Sequence, residues 1–340
     1  MLQAGIVGAS GYTGAELLRL LAGHPDVDVA VATGDTQAGS AVAELYPSLA
    51  AAYGDLVFEP TDPSALDGLD VVFLGLPHRA SMALAPELLA RVRCVVDLSA
   101  AFRLKDPAAY PQWYGFAHDQ PALLAEAVYG LPERHRADLQ EARLVATPGC
   151  YVTAATLALA PLLDAGLAGR DGIIVDAASG VSGAGRTATA TTAFCRVDED
   201  FTAYGLLDHR HTPEIEQNLG AQVLFTPHLA PMNRGILATC YARPAAGIEL
   251  STDVLLETLS AAYEHEPFVV VSERPPGTKA TLGSNTAHVT ARFDERTGYV
   301  LALCAIDNLT KGASGGAVQS ANVALGLAET AGLPLVGTAP

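Results

Sequence analysis

Over the first hundred residues, short apolar runs alternate with blocks whose apolar positions recur at helical spacing. The runs LQAGIVG, VDVAVAT, DVVFLGLP and RCVVDLS predict strands, while TGAELLRLLAGHP and ASMALAPELLARV predict amphipathic helices. This alternation predicts right-handed βαβ units and a parallel sheet. A connector rich in proline and aromatic residues follows, from Phe102 to about Pro132. Beyond Cys150 the β-like runs lengthen (GIIVDAAS, AQVLFTPHLA, GILATCYARP, AHVTARFDE, GYVLALCAID) and fewer helical blocks separate them. A mostly antiparallel sheet is expected there, with a hairpin turning through Glu295 to Gly298. The segment KGASGGAVQSANVALGLAE then reads as a Gly-Ser turn leading into a helix. The fold class is α/β with about two domains, the number expected for 340 residues.

Composition narrows the partners. Half the chain is apolar and 17% is charged, which excludes a disordered or collagen-like chain. Lys and Arg number 20 against 37 Asp and Glu, a net charge of -17 with no basic stripe, so neither nucleic acid nor an anionic membrane is an expected partner. The N-terminal MLQAGIVGAS has the character of neither a signal nor a transit peptide. Five scattered cysteines lack the spacing of a zinc site, so no metal is expected and a reducing cytoplasm is the simplest location. Cys94, Cys240 and Cys304 fall in strand-like runs as small hydrophobes, and Cys195 is ambiguous, with the structural reading favoured.

Three stretches carry candidate chemistry. Gly8, Gly11 and Gly14 form GASGYTG between the first strand and the first helix, where backbone amides at a helix start can approach a pyrophosphate. Ser10 and Thr13 add hydroxyls. Asp35, just past the second strand, is placed to bind ribose hydroxyls; with no basic residue in ATGDTQAG, the residues themselves point to NAD or to weak discrimination. Cys150 follows Pro148-Gly149 at the start of a helical run, where the dipole favours a thiolate. The segment LLDHRHTPEIEQN supplies His209 and His211, with Thr212 as N-cap, Pro213 in the first turn and Glu214 as an early acid. DAASGVSGAGR reads as an anion-cradling nest closed by Arg186, and Arg103 is a second candidate anion clamp. Each of these has an ordinary structural reading as well: a ligand-free glycine turn, a solvated aspartate, a loop histidine, a surface ion pair.

Taken in order, GASGYTGAEL, LGLPH, DLSAAFRL, PGCY, SGVSGAGR, HRHTPEI, TPHLAPMNRGI and DNLTKGASGGAVQ resemble the N-acetyl-gamma-glutamyl-phosphate reductase family, collinearly from residue 5 to about 325. The resemblance implies a Rossmann-type dinucleotide-binding domain (1–148 and 310–340, completed by the C-terminal helix). An α+β domain like that of glyceraldehyde-3-phosphate dehydrogenase (149–309) would carry catalysis and oligomerisation. It implies NADPH, a small-molecule acyl phosphate as substrate, arginine biosynthesis and a homotetramer or homodimer. It makes Cys150 the nucleophile and His211 the acid/base, with His209, Glu214, Ser182, Arg103 and Arg186 in support. Gly8, Ser10, Gly11, Tyr12, Thr13, Gly14, Thr33, Asp35, Pro77, Ser179, Gly180, Asn308 and Ser314 become cofactor contacts.

The chain departs from the family at several positions. Thr33-Gly34-Asp35 replaces a frequent Ser-Arg-Ser, which leaves NAD open beside NADP. Ala101, Ala178 and Gly316 replace Asp, Lys and Gln, and Val152 replaces a proline. Three rival readings remain. One is a reductase of aspartyl phosphate or of a carrier-linked aminoadipyl phosphate; another is a non-catalytic dinucleotide-binding regulator. The third, a cysteine hydrolase or acyltransferase, would not need the glycine turn.

Overall fold

In the computed structural model, which describes residues 1–338, the chain forms two compact units. The first comprises Met1–Tyr110, Phe116–Pro148 and Ala313–Leu333. Its strands are β1 (Leu2–Val7), β2 (Val27–Ala32), β3 (Val71–Leu74), β4 (Cys94–Asp97), β5 (Val128–Tyr129) and β6 (Leu144–Ala146). They make a parallel sheet of order β2-β1-β3-β4-β6-β5. β3 and β4 are buried throughout, which is why VVFL and CVVD read as unbroken apolar runs, whereas edge strand β2 alternates. The strand order reverses between β1 and β3, and the helix Tyr12–Leu21 follows β1 directly.

The helix Gly315–Leu325 belongs to this unit and packs on β4 and the Tyr12–Leu21 helix. It is buried almost throughout, so its polar side chains bond inward. Ser320 Oγ donates to the Gly130 carbonyl at 3.0 Å, and Gln319 Nε2 donates to Glu133 and Glu329 at 3.0 and 2.8 Å. His24 Nδ1 accepts the amides of Asp26 and Val27, so its Nε2 carries the proton donated to Asn322 Oδ1 at 3.0 Å.

The second unit comprises Pro111–Gly115, Gly149–Gly312 and the described residues 334–338. Its strands are β7 (Ile173–Ser179), β8 (Thr202–Ala203), β9 (Val223–Leu229), β10 (Ile236–Ala242), β11 (Val269–Val271), β12 (Ala287–Asp294) and β13 (Tyr299–Ile306). The sheet order is β11-β12-β13-β10-β7-β9-β8. Four pairings are antiparallel, and β7 with β9 and β11 with β12 are parallel. The expected hairpin joins β12 to β13: the Gly298 amide donates to the Asp294 carbonyl at 2.7 Å, and Gly298 takes φ 68°. Helix Cys150–Asp164, mostly Ala, Leu, Thr and Val, packs on β10, β12 and β13. Pro161 removes one amide from that helix and so orphans the Leu157 carbonyl, which the Tyr263 phenol reclaims at 2.7 Å.

The observed division differs from the expected one in three short segments. Pro111–Gly115 joins the second unit, where the Tyr114 phenol donates to the Arg210 carbonyl. Residues 310–312 do so because Gly312 packs on Cys150. Residues 334–338 join too, with the Asn285 amide donating to the Pro334 carbonyl at 2.8 Å.

Candidate active site

In the first unit the glycine turn sits where β1 and β3 diverge, the crevice at which open parallel sheets bind ligands. Gly8 has φ 84°, and a Cβ on it would lie 2.6 Å from the Gly75 carbonyl oxygen. A Cβ on Gly14 would lie 2.4 Å from Ala9 Cα, so helix and turn touch through it. Gly11 is different: its Cβ would meet only the Gly8 carbonyl, at 3.6 Å. The protein's own packing does not demand glycine there. The cap of the Tyr12–Leu21 helix is thus left without a side chain and with no side-chain capping bond, as a pyrophosphate approaching backbone amides requires.

The other expected cofactor residues of this unit fall around the turn. Ser10 is buried and its carbonyl accepts the Tyr46 phenol at 2.7 Å; Thr33 is buried at the end of β2. Tyr12 and Thr13 open the helix half-exposed. Ser314 Oγ donates to the Thr13 carbonyl at 2.8 Å, holding the turn from behind. Pro77 caps the helix His78–Leu89 beyond β3. Arg103 is largely buried. Its Nε donates to the Thr147 carbonyl at 2.6 Å and its Nη2 to the Leu98 carbonyl at 2.9 Å, so much of the expected anion clamp is spent on the ends of β4 and β6.

In the second unit the thiol and the imidazole lie together. Cys150 is the first residue of its helix, with Gly149 at the cap position. A Cβ on Gly149 would lie 2.5 Å from His211 Nε2: the imidazole occupies the space that any other residue's side chain would take beside the cysteine. Glu214, fully buried, accepts the Gly149 amide at 2.9 Å through Oε1. One carboxylate therefore caps the Cys150 helix from the first turn of a neighbouring helix, Thr212–Leu219. That helix starts one residue earlier than expected. Thr212 is its first helical residue and His211 holds the cap position, because His209 turns the chain: its Nδ1 accepts the His211 amide at 3.1 Å and its carbonyl accepts the Thr212 amide at 2.9 Å.

Two tyrosines that the sequence reading missed complete the cluster. Tyr151 and Tyr204 share a hydrogen bond at 3.1 Å, and the Tyr151 phenol reaches the His228 carbonyl. Burial pushes the Tyr204 phenol up to about 12, and the charge of Cys150 adds to it; Tyr151 is raised for the same leading reason. Both are therefore neutral hydrogen-bond donors at physiological pH. His209 packs edge-on to Tyr151 and His211 and is pushed down to about 4, by burial first and then by Arg210, so it stays neutral. Tyr151 was legible only as the neighbour of Cys150, and Tyr204 carried no local signal.

The loop 179–186 is not an open amide nest. The amides of Gly180, Val181 and Ser182 donate to the carbonyls of Gly235, Met232 and Asn233, and those of Gly183 and Gly185 close the loop on itself. With those donors consumed, the loop cannot present a row of amides to an anion; it is a rigid turn seated on Met232–Gly235. Gly180 must be glycine, since its Cβ would lie 2.7 Å from the Arg234 nitrogen. Ser179 Oγ stays within the loop, and Arg186 lies half-exposed at its far end. Asn308 locks the assembly, accepting the Gly235 amide at 2.7 Å and donating to Ser182 Oγ at 3.0 Å.

Comparison with known proteins places the chain in a family. Residues 3–142 match the NAD binding domain of semialdehyde dehydrogenases, and residues 150–308 match their dimerisation domain. The aspartate semialdehyde dehydrogenase of Candida albicans, solved with NADP, shares the fold at a TM-score of 0.70 and 14% identity over 96% of this chain and 99% of that one. Aspartate semialdehyde dehydrogenase II of Vibrio cholerae does so at 0.68 and 17%, over 95% and 98%. Sequence relatives are far nearer. The N-acetyl-gamma-glutamyl-phosphate reductase of Symbiobacterium thermophilum is 50% identical over 98% of this chain and 97% of its own length. That of Acidothermus cellulolyticus is 48% identical over 99% of each. The chain belongs to the N-acetyl-gamma-glutamyl-phosphate reductase family, built on the two-domain semialdehyde dehydrogenase fold.

Proposed function

We propose that the chain reduces N-acetyl-L-glutamyl 5-phosphate to N-acetyl-L-glutamate 5-semialdehyde, with release of phosphate, as a step of arginine biosynthesis in a reducing cytoplasm. The observation that carries this reading is His211 filling the space beside Gly149, next to the cysteine that starts the buried helix. The Cys150 thiolate, favoured by the helix dipole, attacks the acyl carbon. Amides at the helix start stabilise the oxyanion, and expulsion of phosphate leaves a thioester on the sulfur. A reduced nicotinamide dinucleotide, when bound, supplies the hydride that takes the thioester to the aldehyde level. His211 protonates the oxyanion that results and takes that proton back as the thiohemiacetal collapses, releasing the aldehyde and restoring the Cys150 thiolate. Glu214 holds the Gly149 amide and so the helix start, while the Tyr151 and Tyr204 hydroxyls, bonded to each other, add neutral donors to the cluster. Arg186 and Arg103 are the proposed anion contacts. On the resemblance the dinucleotide is NADPH, with NADH left open by Gly34 and Asp35.

A second copy of the chain is the proposed partner, in a homodimer or homotetramer formed through the second unit, whose family match is a dimerisation domain. The test is the reverse reaction. N-acetyl-glutamate semialdehyde, inorganic phosphate and NAD or NADP are mixed with the protein, and the reduced cofactor is followed by absorbance. Phosphate-dependent reduction is expected. Aspartate semialdehyde as the preferred substrate would establish the closest rival, and no turnover with either cofactor would leave the regulator reading.

A further inference from the structure

We propose that the first unit selects the dinucleotide lacking a 2′-phosphate, NAD(H), over NADP(H), and that Asp35 is the selecting residue. The inference rests on that unit's dinucleotide binding and departs from the family expectation of NADPH. Asp35 follows β2, at the sheet edge, and opens a short 3-10 turn with its side chain exposed. Its direction is fixed: Oδ1 accepts the Thr61 amide at 2.8 Å. Thr61 Oγ1 in turn bonds Thr33 Oγ1 at 2.9 Å, and Thr33 Oγ1 accepts the Gly8 amide at 3.4 Å. The acid and the first glycine of the phosphate turn are therefore tied to one threonine pair, which sets their spacing before any ligand arrives.

A carboxylate so placed accepts hydrogen bonds from a ribose diol but repels a 2′-phosphate carrying a charge of roughly -1.5 to -2. Beside a carboxylate, a 2′-phosphate needs a cation to offset the repulsion, and the sequence around Asp35 supplies none. From Leu20 to His78 the chain contains no lysine or arginine, while Glu44, Glu59 and Asp62 lie along it. Glu59 pairs directly with the turn, its carbonyl accepting the Gly34 amide at 2.9 Å. The arginines that flank this stretch are engaged elsewhere. Arg19 pairs with Glu16 at 2.7 Å, and the Arg79 guanidinium lies 5.4 Å from the centre of the Phe116 ring. Position 34 itself is packed without a side chain: a Cβ there would meet Ser10 Cβ at 3.0 Å and Phe58 Cδ1 at 3.3 Å.

Calorimetric titration of the full chain with NADH and with NADPH, at low and moderate salt, tests the proposal. NADH should bind more tightly by roughly tenfold or more, the worth of one charge-assisted hydrogen bond. Asp35→Asn should weaken NADH and strengthen NADPH, closing most of that gap. Equal or tighter binding of NADPH overturns the preference and leaves the dinucleotide reading standing. A gap that survives Asp35→Asn overturns the role of Asp35. Binding of neither dinucleotide overturns both this proposal and the reading on which it rests.

Discussion

At the scale of single residues, the site is built from vacancies as much as from functional groups. His211 fits beside Cys150 because Gly149 has no side chain, although the backbone there (φ -67°, ψ 144°) suits any residue. Gly149→Ala should therefore fold normally and lose about a hundredfold in kcat, the cost of displacing a catalytic group by an ångström. Unchanged turnover in that variant would remove His211 from the reaction. Cys150→Ser should abolish turnover while retaining dinucleotide affinity, and full activity would refute the nucleophile assignment. His209 gives a pH signature of its own. Its imidazole is pushed from the ordinary 6.5 to about 4, so between those values the unfolded chain takes up a proton that the folded chain refuses. Its contribution to stability is thus intact above pH 6.5 and is lost as pH falls towards 4. Urea midpoints of His209→Asn should decline less steeply than the parent's across that window; parallel curves would contradict the assignment.

At the scale of elements, the interior strands, the glycine turn and the Cys150 helix could be read from the chain, because each writes its pattern in consecutive residues. VVFL, CVVD and PGCYVTAATLAL need no distant partner to be recognised. What stayed hidden depends on residues far apart in sequence. The Glu214 carboxylate caps a helix that starts 64 residues before it, and the Met232–Gly235 carbonyls empty the supposed anion nest of its donors. β5 and β8, two residues each, are too short to show a period. Tyr263 is another such case. Its hydroxyl answers the carbonyl left open by Pro161, so Tyr263→Phe should lower unfolding free energy by about 1 to 3 kcal/mol, the cost of an unmet buried acceptor. Equilibrium denaturation would measure it, and no change would mean that the carbonyl finds another donor.

At the scale of the whole molecule, the second unit's sheet carries a half-exposed apolar ladder on the face away from the Cys150 helix. Ile174, Tyr241 and Leu301 are cross-strand neighbours, with Leu237 and Leu303 beside them. We expect a second copy to cover this face, as the match to a dimerisation domain supports. Sedimentation velocity should show an oligomer, and Leu303→Glu should shift it towards monomer; a monomeric parent protein would dismiss the assembly.

The Gly315–Leu325 helix has a consequence for biogenesis. The first unit is assembled from segments on either side of the second, so the ribosome delivers its sheet long before the helix that covers β4. The inserted unit can mature on the emerging polypeptide, whereas the N-terminal sheet must wait, half-dressed, until the Gly315–Leu325 helix emerges. A nascent chain stalled before residue 315 should hold a bare apolar surface and attract chaperones, even though every glycine of the phosphate turn has already left the tunnel.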